Sequence, residues 1–99
     1  MASKPPIQFQ MEIGEKEAEG IYANMAILSY SSSEFFIDFA RRTPGTPKAR
    51  VYARIVMTPS NTALLMKALE QNLHAYEERF GKIRLEGAEE ARDIGFKTS

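Results

Sequence analysis

A chain of 99 residues is long enough for one domain and too short for two, and 43% apolar with 26% charged residues is ordinary globular usage. Thirteen basic and thirteen acidic side chains give a formal net charge of zero, without the basic excess of a phosphate-backbone binder. The absence of cysteine excludes disulfides, thiol chemistry and cysteine zinc sites, and no stretch approaches the roughly 18 apolar residues of a membrane span. With no apolar signal region at the start either, the expectation is a cytoplasmic protein that does not touch the membrane.

Residues 1–6 read as a loose leader, because Pro5-Pro6 fits neither a helix interior nor a central ladder. From Ile7 to Ile13 apolar residues occupy the odd positions and polar ones the even positions, the period of a half-buried strand. Gly14 to Gly20 is an acidic turn segment. Residues 21–30 are apolar on both faces, as in a central strand covered on two sides. Ser31-Ser32-Ser33 is a turn, and residues 35–40, with three Phe and one Ile, favour a third strand over a short helix capped by Ser31 and Glu34. Pro44-Gly45 suits the centre of a type II turn, and residues 50–57 form the fourth strand.

The helix is marked at both ends. Thr58 caps it with Pro59 at the first helical position, and Gly81 ends it. Leu65, Leu69, Leu73 (or Asn72), Tyr76 and Phe80 make one apolar stripe. Residues 82–99 read as a mobile, disordered tail. The fold class is therefore α+β: a four-stranded antiparallel sheet followed by one long amphipathic helix, β-β-β-β-α, in a single domain over residues 7–81.

One helix covers one face of such a sheet, which leaves the other apolar face in water. The even positions of the second strand, with Tyr22, Asn24, Leu28 and Tyr30, together with Phe36 and Tyr52, form the candidate interface. The strand register across Ser31–Ser33 stays open, and a one-residue slip would exchange Phe36 for Phe35, Ile37 and Phe39. A second copy packed sheet against sheet is the simplest cover, and a tail folded back over the sheet is the rival.

No constellation points to an enzyme, a cofactor or a metal. His74 is the only histidine, and with Glu70 and Glu78 on its helix face it reads as a solvated ion-pair surface. Asp38 inside an apolar strand reads as a cross-strand ion pair with an arginine of the next strand, Arg50 or Arg54, the alternative being a buried acid or base. Asn24 is expected to satisfy backbone groups or its symmetry mate. No G-x-S-x-G elbow, G-x-G-x-x-G or Walker-type loop is present. The hairpin loop 43–47 is flanked by Arg41, Arg42, Lys48 and Arg50, with Arg54 further along; these form a candidate anion or nucleic-acid patch beside Tyr52, a stacking surface.

Several blocks occur in one order: Gly20-Ile-Tyr-Ala-Asn24, Ser31-x-x-Glu34-Phe35-x-x-Asp38-Phe39, Pro44-Gly45, Arg54-Ile55-Val56-x-Thr58-Pro59, and Leu69-x-x-Asn72-x-x-x-Tyr76-Glu77-x-x-Phe80-Gly81. This series resembles the bacterial and archaeal domain-of-unknown-function family 3467 over roughly residues 7–83. Asn61-Thr62 departs from the small residue and lysine expected at the helix start. The resemblance implies a small prokaryotic protein of this fold and supplies no substrate, cofactor or catalytic residue. The β-β-β-β-α order also looks like the core of SecB-type export chaperones, at the level of fold alone. The leading expectation is a non-enzymatic, homo-oligomeric binding or adaptor module, chaperone-like in one form, with a protein partner. The alternative is a nucleic-acid-binding module using the basic hairpin end around residues 41–54.

Overall fold

The computed structural model describes residues 9–85. Its elements are a short helix α1 (Glu15–Glu19), strands β1 (Met25–Tyr30), β2 (Phe35–Arg42) and β3 (Ala49–Met57), and a long helix α2 (Pro59–Phe80). The strands form one antiparallel sheet in the order β1-β2-β3. The fold is therefore α+β, with an antiparallel sheet followed by a helix, but the sheet has three strands rather than four.

The missing strand is the one expected over residues 7–13. Residues 9–13 lie outside any ladder, with Phe9, Met11 and Ile13 exposed by 76%, 87% and 71%. An alternating pattern makes a strand only where a neighbouring edge accepts its N–H and C=O groups, and among the described residues none lies against this segment. The acidic turn that follows is in part helical. Glu15-Lys-Glu-Ala-Glu19 consists of good helix formers, and the Gly20 N–H closes it on the Glu17 carbonyl. Without the first strand, β1 becomes an edge strand and β2 the central one. This corrects the expectation that residues 21–30 run through the middle of the sheet. The leader 1–6 and most of the expected tail, residues 86–99, lie outside the described residues.

The hairpins follow from their loops. The Ser31 N–H donates to the Glu34 carbonyl at 2.9 Å, and the Ser31 hydroxyl oxygen accepts from the N–H groups of Ser33 and Glu34. The loop therefore has two residues, Tyr30 faces Phe35, and Leu28 faces Ile37. In the second hairpin the Thr46 N–H reaches the Thr43 carbonyl, and Gly45 has φ 84°, the left-handed value that a type II turn requires at that position. A bulge between Phe39 and Ala40 on one side and Ala53 and Val51 on the other leaves Tyr52 as an extra residue of β3.

The buried residues, Ile37, Asp38 and Ala40, all belong to the central strand. Helix α2 begins where the sequence marks it. The Thr58 side chain accepts from the Asn61 N–H at 3.1 Å with Pro59 at the first position, and Gly81 at φ 95° returns its N–H to the Glu77 carbonyl. Thr58→Ala is expected to remove about 1 kcal/mol of helix stability, seen as earlier loss of ellipticity at 222 nm on heating. The 22 residues of α2 span about 33 Å. Contrary to expectation the helix does not cover the sheet: the packed pairs of elements are β1 with β2 and β2 with β3, and α2 buries none of its residues.

Candidate functional site

The register places Ala26, Leu28, Tyr30, Phe35, Ile37, Phe39, Ala53, Ile55 and Met57 on one face of the sheet. Met25, Ile27, Ser29, Phe36, Asp38, Ala40, Arg54 and Val56 lie on the other. The expected interface set is therefore divided. Leu28 and Tyr30 share the first face, with Tyr30 stacked on Phe35 at 5.5 Å between ring centroids. Phe36 lies on the opposite face, because the two-residue loop pairs it with Ser29. Tyr22 and Asn24 precede β1, and Tyr52 sits in the bulge.

Asn24 has a local task. Its amide donates to the Arg42 carbonyl at 3.1 Å while its Oδ1 accepts from the Arg42 N–H at 2.9 Å, so the side chain continues the ladder past the end of β1. The second half of the expectation for Asn24, a contact with its symmetry mate, has no bearing on this geometry.

Asp38 and Arg54 are direct cross-strand partners. The Arg54 guanidinium meets the carboxylate with two parallel bonds, Nε to Oδ1 at 2.6 Å and Nη2 to Oδ2 at 2.9 Å. It also lies over the Phe36 ring at 5.5 Å. The Asp38 side chain is 11% exposed and the Arg54 side chain 60%. The hydrogen bonds from Arg54 hold the Asp38 carboxyl below its ordinary range; partial burial opposes this, and the arginine charge adds to it. A carboxylate held ionised in this way is a poor acid or base near neutral pH. Between the two candidate arginines the register selects Arg54 and not Arg50.

The basic patch is likewise divided. Arg54 is spent on Asp38. Arg41 donates from Nε and Nη2 to the Tyr22 carbonyl at 3.3 and 3.1 Å. Arg41 and Arg50 face each other across β2 and β3, a repulsive pairing, and the Tyr52 ring lies 4.4 Å from one guanidinium and 5.4 Å from the other. The tyrosine expected to stack on a base is thus engaged by two cations of its own chain. Lys48 is exposed at the same hairpin end.

His74 reaches Glu78 at 3.6 Å on the exposed helix face, and no group of three metal-ligating side chains gathers among the described residues. The apolar stripe expected on α2 is present, but it is exposed rather than packed on the sheet. Met66, Leu69, Leu73, Tyr76 and Phe80 recur at spacings of three and four, and each is half or more exposed. This is the three-four spacing of a heptad seam, sustained over two heptads. At the foot of the helix the Ile83 N–H donates to the Glu77 carboxylate at 2.9 Å, and Ile83 joins Leu69, Leu73, Tyr76 and Phe80 around a shallow apolar concavity.

A family model described as a protein of unknown function (DUF3467) matches residues 1–85. No curated protein and no solved structure matches the chain.

Proposed function

The chain belongs to the DUF3467 family, and from that premise we propose that it is a non-enzymatic binding module that works as a homo-oligomer, a dimer in the simplest form. The observation that carries this reading is that the described residues of a single chain leave their apolar surfaces uncovered. The heptad seam of α2 and the sheet residues Tyr30, Val51, Ile55 and Val56 are all exposed. Exposed apolar surface on that scale is costly in water and marks an interaction surface. A second copy covers it with the same residues on both sides. A cytoplasmic, prokaryotic setting and a protein client or adaptor partner belong to the same proposal; no helix among the described residues is long and apolar enough to cross a membrane.

Size-exclusion chromatography with light scattering tests it, read at 260 and 280 nm together. The expected result is a mass of two or more chains without excess absorbance at 260 nm. A monomer at micromolar concentration overturns the reading. Co-purifying nucleic acid would favour the basic hairpin end instead, and salt-sensitive binding weakened by Arg50→Ala would then support that second reading.

A further inference from the structure

We propose that residues 9–13 of one chain add as a fourth strand to the open edge of β1 in a second copy, with the exchange made reciprocally. The inference rests on the self-association proposed above and names the backbone contact that builds it. Three observations meet on it. The segment Phe9-Gln-Met-Glu-Ile13 has the alternation of a strand yet lies in no ladder, with its apolar side chains in water.

The second observation is the edge itself. Met25-Ala-Ile-Leu-Ser-Tyr30 is free of charge and proline, has β2 on one side, and on the other turns alternate N–H and C=O groups away from the sheet. Sheets guard such edges with charges, prolines or bulges. The β3 edge has all but the proline: Arg50, Arg54 and the Tyr52 bulge. The β1 edge has none of these, so it is the edge suited to receive a strand. Its six residues span about 20 Å and the five of the segment about 17 Å.

The third observation is charge. Antiparallel addition brings Ile13 beside Met25 of the other copy. The acidic residues that follow, Glu15, Glu17 and Glu19, then lie at the sheet end that carries Arg41, Lys48 and Arg50. Parallel addition sends them to the opposite end. Among the described residues the segment is unpaired in its own chain, and two copies trading it close a two-fold assembly with no edge left at β1.

The test combines a variant with a labelled mixture. Gln10 is exposed and outside every element, and with Ile13 beside Met25 it faces Leu28, whose N–H and C=O point away from β2, so Gln10→Pro leaves the protomer fold intact while removing a ladder donor. The expected result is a rise of at least tenfold in the dimer dissociation constant, together with isotope-filtered NOEs between residues 9–13 of one chain and 25–30 of the other in a refolded mixture of differently labelled chains. NOEs confined to a single chain would show a hairpin closed within the protomer and overturn the exchange. A wild-type dimer that Gln10→Pro leaves unchanged and that lacks these NOEs overturns the exchange while self-association stands. A wild-type monomer removes both.

Discussion

Leu73→Glu is expected to shift the protein from oligomer to monomer at concentrations where the wild type remains associated. Leu73 is central in the α2 seam, between Leu69 and Tyr76, and half exposed in the single chain. In a paired seam its side chain is buried, which contributes about 1.5–3 kcal/mol, and a carboxylate in its place must be desolvated without a partner. The dissociation constant should rise by two orders of magnitude or more, since about 1.4 kcal/mol is tenfold. Because Leu73 is half exposed and α2 buries none of its residues, the helix itself should persist, with ellipticity at 222 nm near wild type. Sedimentation velocity across a concentration series decides the matter. An unchanged mass would mean that α2 takes no part in association. Lys67→Glu, off the seam, serves as the control and should change little.

The second large effect is an asymmetry within one ion pair. Arg54→Ala is expected to lower the melting temperature by several degrees, and by more than Asp38→Ala. Removing the arginine strands a carboxylate whose side chain is 11% exposed, whereas removing the aspartate releases a guanidinium already 60% exposed. The pH dependence has a definite sign. The folded pKa of Asp38 lies below its ordinary value of about 3.9. Its contribution is therefore complete above that value and is lost as pH falls through the lowered folded value. The melting-temperature gap between wild type and Asp38→Asn should stay flat through neutral pH and close only in strong acid. A gap that closes near pH 6 would assign the effect to another group.

The parts legible in the sequence are those fixed by local chemistry. Thr58-Pro59 and Gly81 bounded the helix, and Pro44-Gly45 and Ser31–Ser33 located the hairpin turns, because caps and turns are set by a few neighbouring residues. The strand expected at residues 7–13 failed for a different reason. Its alternation states what the segment can do, while a ladder depends on an edge elsewhere in space. The same gap separated the α2 stripe from the sheet: periodicity identifies an apolar face without naming what it meets. The interface set built on Phe36 and Leu28 divided because two residues of loop, rather than three, decide which side of the sheet each aromatic takes. Asp38 with Arg54 was half legible, since charge suggested the pair and only register could choose between two arginines.

That choice follows from a single added residue. On a regular strand, positions four apart project to the same side, so Arg50 and Arg54 would stand together as a local positive field. The extra residue at Tyr52 reverses the parity of everything before it in β3. Arg50 therefore shares a side with Arg41, and Arg54 shares the other with Asp38. One insertion thus sorts two like cations onto opposite surfaces, giving one a carboxylate and the other an aromatic ring. Deletion of Tyr52 would return both guanidinium groups to the side that carries Asp38 and leave Arg41 with no second cation opposite it.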